Sequence, residues 1–138
     1  MKLIRSNDVR PRAAGEKKFT EGVWHEEILE AQQEAGMRVH RFVYDPGSHS
    51  HWHSHDGEQA LYGVAGIGLV TRRDGQTLEF APGDLVYVTP GEEHWHGAAP
   101  ESLLVHFAFT ASGRTHWFEE VTSEEYAATS RPRRGIEE

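Results

Sequence analysis

An all-β domain, a sandwich or barrel of short strands, is the fold class this sequence predicts, on three observations. Fourteen glycines and three Pro-Gly turns (DPG at 45–47, APG at 81–83 and TPG at 89–91) cut the chain into short pieces. Proline fixes φ at such turns and glycine accepts a positive φ. The pieces between them are rich in apolar and β-forming residues. Where their pattern is regular it has a period of two, the period of a strand.

The elements follow in order. WHEEILEAQQEAG at 24–36 has helix-forming composition but poor amphipathic spacing, so a strand plus loop and a short helix both stay open. MRVHRFVY at 37–44 sets His40, Phe42 and Tyr44 on one face against Val39, Arg41 and Val43 on the other. Residues 69–73 and 76–80 flank Asp74-Gly75, which predicts a hairpin with a type I′ turn. Residues 85–89 and 102–110 read as two more strands. TSEEYAA at 122–128 fits a capping box, with Thr122 as N-cap and Glu125 three residues on, and predicts a short C-terminal helix. A single domain is expected over 16–130, with flexible segments at 1–15 and 131–138.

Composition narrows the function classes. The 138 residues suffice for one domain with its own core. No cysteine is present, which excludes disulfides, thiolate zinc sites and cysteine nucleophiles and fits a reducing cytoplasm. The chain shows no N-terminal signal pattern and no apolar run near the length of a membrane span. A formal charge of −8 argues against a nucleic-acid surface. The expected partner is a small molecule, with neither nucleic acid nor membrane. Apolar residues near the start, Val23, Trp24 and Ile28, are candidates for packing on a second copy.

The stretch HSHWHSHDGEQALYG at 49–63 carries the chemistry. Residues two apart on a strand point the same way, so His53 and His55 present two imidazoles to one point. His94, after the TPGEE turn, is placed to join them from a neighbouring strand. Imidazole suits Zn, Cu, Fe and Ni, and with oxygen donors it also holds Mn. His49 and His51 share the parity of His53 but precede the strand, and are expected as solvent-facing loop residues at the rim.

Gly47-x5-His53-x-His55-x3-Gln59-x6-Gly66 resembles the first motif of the cupins, in which Glu usually stands at the position of Gln59. Gly83-x5-Thr89-Pro90-Gly91-x2-His94-x3-Ala98 resembles the second, in which Pro and Asn usually stand at the positions of Thr89 and Ala98. PGEEHWHGAAP at 90–100, LLVHFAF at 103–109 and WFEEVTSEEY at 117–126 are similar to one subgroup of small bacterial single-domain cupins. That subgroup includes manganese-dependent hydroxynitrile lyases and cupins that accompany carboxymuconolactone decarboxylase-like proteins.

The resemblance implies a cupin jelly-roll β-barrel holding one divalent metal, Mn first and Fe, Ni, Zn or Cu as alternatives. It implies His53, His55, Gln59 and His94 as ligands, and a homodimer. Register selects Gln59 over the adjacent Glu58, because one residue's shift turns a strand side chain to the other face. On 103–109, periodicity alone leaves open which face is inward. The resemblance places His106 inside as the catalytic acid or base, with His96 as a second catalytic or substrate-contacting group. His40 and Phe42 are expected to line the substrate pocket.

The implied activity is Lewis-acid, non-redox cleavage of a small carbonyl or hydroxyl compound, hydroxynitrile lyase-like. A dioxygenase of a catechol, flavonol or diketone is the alternative enzyme. A non-catalytic metal- or small-ligand-binding module is the alternative to an enzyme.

Overall fold

In the computed structural model, which describes residues 1–129, apolar alternation is converted into two facing antiparallel sheets. The expected tail at 131–138 lies outside the described residues. The strands are β1 (Arg12–Ala13), β2 (Val23–Leu29), β3 (Arg38–Tyr44), β4 (His53–His55), β5 (Gln59–Gly66), β6 (Gly68–Arg72), β7 (Thr77–Phe80), β8 (Leu85–Val88), β9 (His94–Ala98), β10 (Leu104–Thr110) and β11 (Thr115–Trp117), followed by the helix α1 (Ser123–Thr129). One sheet runs β1-β2-β3-β10-β5-β8 and the other β11-β4-β9-β6-β7. Among the described residues the two sheets are not hydrogen-bonded into one closed ring, so the expected barrel is a jelly roll of facing sheets.

The interior is set by the period of two. On β10, Leu104, His106, Ala108 and Thr110 are buried while Val105, Phe107 and Phe109 are less so. The apparently more apolar face is therefore the outer one, and His106 points in. Phe42 and Tyr44 of β3, Leu61 of β5, Val70 of β6, Phe80 of β7 and Val86 and Val88 of β8 pack as one core cluster. A second cluster, Trp52, Leu69, Trp95 and Val121 with Tyr126 against it, lies where α1 covers the five-stranded sheet. Burying an aromatic or aliphatic side chain of this size contributes roughly 1.5–3 kcal/mol.

Local readings meet the structure unevenly. The capping box forms: Glu125 N donates to Thr122 Oγ1 at 3.0 Å and Thr122 N donates to Glu125 Oε1 at 2.8 Å. The ambiguous segment at 24–36 is a strand through Leu29 followed by turns. The 74–75 turn is not type I′, since Asp74 keeps a negative φ and Gly75 alone is positive at 90°. Gly75 N donates to Arg72 O and Arg72 N to Gln76 O, a longer loop with a left-handed glycine. Val23 is buried in the core and cannot meet a partner, whereas Trp24 is exposed.

His49 and His51 correct the expectation of solvent-facing loop residues, because both are buried. The His49 ring stacks on Tyr126 at 4.8 Å and lies 5.3 Å from Trp95, and His51 N donates to Lys18 O. The loop before β4 is pinned by segment 18–20 and by α1, contacts distant in sequence. Among the described residues no helix is long and apolar enough to cross a membrane.

Gly97 makes this packing possible. A Cβ there would stand 2.3 Å from His49 Cβ and 2.5 Å from Ser48 O, and backbone cannot yield as a flexible side chain can. Gly97→Ala is expected to destabilise the fold by about 1–3 kcal/mol, read as a lower urea midpoint with unchanged slope.

Candidate metal centre

Two strands bring the sequence-predicted imidazoles to one point. His53 and His55 come from β4, and His94 pairs directly across from His53 on β9. One ligand atom from each of the three lies within 4.8 Å of the others, and all three residues are buried. The rings of His53 and His94 are 4.3 Å apart, and those of His53 and His55 are 5.1 Å apart.

Hydrogen bonds decide which nitrogen faces the centre. A carbonyl accepts and cannot donate, so His53 Nδ1 must carry its proton to donate to His51 O at 3.0 Å, and His94 Nδ1 to donate to Glu92 O at 2.9 Å. His55 Nδ1 pairs with Thr115 Oγ1 at 3.0 Å. Nε2 of His53 and His94 is thereby left as a lone pair, and Nε2 of His55 is free to be one. Nε2 of His55 and of His94 is buried without a hydrogen-bond partner, and so is Gln59 Oε1. Gln59 is turned to this task by its own amide, Nε2 donating to Thr110 Oγ1 at 3.0 Å. Glu58 faces outward, its carboxylate accepting from Tyr87 Oη.

Electrostatics keep the cluster neutral. Burial first, then the neighbouring His94 and His55, holds His53 well below the usual imidazole range. Burial, His94 and Arg38 bring His55 down to about 3, and burial lowers His94. Neutral imidazoles with converging lone pairs are the protonation state a metal requires. Each orphaned polar atom costs about 1–3 kcal/mol unless something pairs with it. The donor set fits a divalent ion: three neutral nitrogens and one amide oxygen.

The centre opens into a cavity of about 350 Å³, whose lining includes His40, Phe42, His53, His55, Gln59 and His96. His96 lies behind His53, ring centres 5.0 Å apart. Its Nδ1 meets Tyr44 Oη at 2.8 Å, and the same hydroxyl meets His106 Nε2 at 3.1 Å. His106 Nδ1 donates to Phe107 O at 3.1 Å. That fixes every proton in the chain of groups. His106 Nε2 of the neutral ring is an acceptor, so Tyr44 donates to it. Tyr44 in turn accepts from His96 Nδ1–H, and His96 Nε2 is left as a lone pair on the cavity side. His106 itself is fully buried behind the wall and does not line the cavity. The sequence sets Tyr44 on one strand face with His40 and Phe42, but its bridging hydroxyl carries no sequence signal.

Three further features line the same cavity. His25, Glu27 and His40 form a second group of metal-capable side chains, less buried than the first. Here Glu27 pairs with Arg12, and His40 Nε2 with Glu30 at 2.6 Å. Trp117 stacks on His53 at 4.6 Å. Arg38 also lines the cavity, and its Nη2 is buried without a partner.

Comparison with known proteins gives a consistent answer. Residues 40–107 match the model of the cupin domain. An (R)-mandelonitrile lyase of Granulicella tundricola is 37% identical over 111 residues, covering 78% of this chain and 85% of that protein. The crystal structure of a cupin-like protein from Thermotoga maritima is 32% identical, with a TM-score of 0.85, and covers 90% of this chain and 96% of that one. The polyketide cyclase RemF from Streptomyces resistomycificus, 18% identical with a TM-score of 0.70 over 96% of this chain and 94% of its own, shares the fold.

His106 makes the fold sensitive to acid. Burial lowers it to about 4, against about 6.5 in an unfolded chain. Between those values the unfolded chain holds a proton that the folded chain does not. Stability at this residue is therefore complete above pH 6.5, falls as pH drops to about 4, and changes no further below that. In metal-free protein, His106→Gln is expected to lower the slope of unfolding free energy against pH in this window by about 1.4 kcal/mol per pH unit, measured by urea titration at a series of pH values.

Proposed function

Because this chain belongs to the cupin family, as a small single-domain member, we propose that it is a metal-dependent lyase cleaving a cyanohydrin-type compound to a carbonyl compound and hydrogen cyanide. The observation that carries the reading is the convergence of buried, unpaired acceptor atoms on His55, His94 and Gln59 beside His53. The likeness to a mandelonitrile lyase supplies the substrate class. The ion would be held by His53, His55, Gln59 and His94, and manganese is the ion proposed. When bound, a divalent cation supplies Lewis acidity to a substrate oxygen.

The chain's own residues move the proton. A substrate hydroxyl in the cavity reaches His96 Nε2, the lone pair on the cavity side. As that nitrogen takes the proton, His96 Nδ1 releases its own to Tyr44 Oη, and Tyr44 passes its proton to His106 Nε2. The C–CN bond breaks with its electron pair leaving on cyanide, and the former hydroxyl carbon becomes the carbonyl. Running backwards, the relay returns the proton from His106 through Tyr44 and His96 to cyanide. The low basicity of buried His106 favours that return. His106 thus stores the proton, while His96 contacts the substrate. Phe42, stacked on His25 at 5.0 Å and on His106 at 5.5 Å, walls the path and excludes water. His40 stands at the mouth.

The same reading includes a homodimer and a cytoplasmic location. Exposed Trp24, on the outer face of the six-stranded sheet, supports the first, and a cysteine-free chain supports the second.

Elemental analysis of untagged protein, with electron spin resonance on the same sample, is expected to give one manganese per chain. His53→Ala is expected to lose it. His96→Ala and His106→Ala are each expected to keep the ion and to lose at least ~10²-fold in kcat on mandelonitrile. Tyr44→Phe, which keeps the packing and breaks the bridge, should lose roughly tenfold or more. Oxygen uptake with a catechol or diketone, in place of cyanohydrin cleavage, would overturn the lyase reading in favour of a dioxygenase.

A further inference from the structure

The cavity holds a positive charge that the proton relay and the ligand cluster leave unused. Arg38 opens β3 and lies across from Thr110 of β10, the residue that orients Gln59. Its side chain lines the cavity, with Nη2 buried and bonded to nothing. Among the described residues Arg38 forms no salt bridge, although the chain has 22 acidic residues for 14 basic ones.

The carboxylates nearest the mouth are already engaged. Glu27 pairs with Arg12, and Glu30 with His40. Lys18 adds a second cation to the lining, its Nζ 5.7 Å from the Trp117 ring centre. The imidazoles and the Gln59 amide contribute no negative charge. Arg38 is half-buried, and a guanidinium nitrogen shut off from water without a partner is costly, while the planar fork matches a carboxylate with two parallel hydrogen bonds.

We infer that Arg38 is the carboxylate-binding residue of this cavity, and that the substrate is a small acid whose anionic end pairs with Arg38 while its reacting hydroxyl end lies at the imidazole cluster. The inference rests on the reading of this cavity as the substrate chamber. It narrows that substrate from cyanohydrins in general to those carrying a carboxylate, and Arg38 acts in it as a specificity residue.

Phenylacetate and phenylacetamide are matched probes that differ at the carboxylate, and neither bears a hydroxyl that could chelate a metal. Calorimetric titration of full-length protein, both chelator-stripped and manganese-loaded, is expected to show phenylacetate binding at least tenfold more tightly than the amide. Arg38→Gln should abolish that preference in both forms, and Arg38→Lys should keep part of it. Circular dichroism and metal content serve as controls that each variant folds.

Equal binding of the two probes by the wild-type protein would overturn the inference. So would a preference that survives Arg38→Gln, or one confined to the loaded protein, since the ion would then be the anion's partner. Cyanide release from mandelonitrile and from a carboxylate-bearing mandelonitrile, measured on the same preparations, reports separately on the reaction. Charge preference with cyanide released from neither removes the lyase reading and leaves the carboxylate site, and turnover without charge preference does the reverse.

Discussion

The arrangement depends on a hydrogen bond that a histidine in extended chain makes to its own recent past. Nδ1 of His49, His53 and His94 each lies 2.9–3.0 Å from the carbonyl oxygen two residues before it, on Gly47, His51 and Glu92. Each bond places the proton on Nδ1 and turns Nε2 away from the backbone. No distant partner is needed, so the orientation is set as soon as the local chain is extended. His55 departs from the pattern and depends on Thr115 of β11 instead. Two of the three central imidazoles are thus aimed by their own strands, and the third by sheet pairing.

Local aiming would achieve little in water, where a free imidazole samples both tautomers and gains protons near neutral pH. The facing sheets change this by burial. Desolvation is the largest cause of the lowered basicity at His53, His55, His94, His96 and His106. The same burial that keeps these rings neutral makes each unpaired atom expensive. Tyr44 resolves the problem for two of them by accepting from His96 and donating to His106. Where no such partner exists, at His55 Nε2, His94 Nε2 and Gln59 Oε1, the fold carries a cost that a bound ion would remove. Stability and function draw on the same atoms.

This division explains what the sequence disclosed. Features decided locally were legible: the Thr122–Glu125 capping box, the alternation of β3, the register that turns Gln59 inward and Glu58 out, and the pairing of His53 with His55. Features decided by contacts between distant segments were not. His49 and His51 are buried because residues 18–20 and Tyr126 cover them, contacts separated by 29 residues or more. The inward face of β10 could not be chosen from hydropathy, since its phenylalanines lie on the outer side of a sheet that stays partly exposed. Alternation puts Tyr44 on the strand face of His40 and Phe42, and its hydroxyl acquires a role from two histidines 52 and 62 positions away. The 74–75 turn departs from type I′ because Asp-Gly is compatible with more than one hairpin.

Charge ties the remaining particulars together. A glutamate at position 59 would bring a negative charge into the cluster, and Thr110 could donate to it as readily as it accepts from Gln59. With glutamine, the central donors are neutral, and a divalent ion among them keeps its full charge. Less compensation makes the ion a stronger Lewis acid and a weaker support for higher oxidation states. Arg38 adds to that excess of positive charge and Lys18 extends it toward the mouth, while Glu27 and Glu30 are occupied at the rim. The one carboxylate in the lining, Glu27, is already paired with Arg12, so the cavity's own side chains offer Arg38 no anion. In the proposed chemistry negative charge arises where it is missing, on the substrate oxygen as its proton leaves and on cyanide as the carbon–carbon bond breaks. Neutral Gln59 and unpaired Arg38 therefore act in the same direction, leaving the positive field to be answered by the reacting molecule.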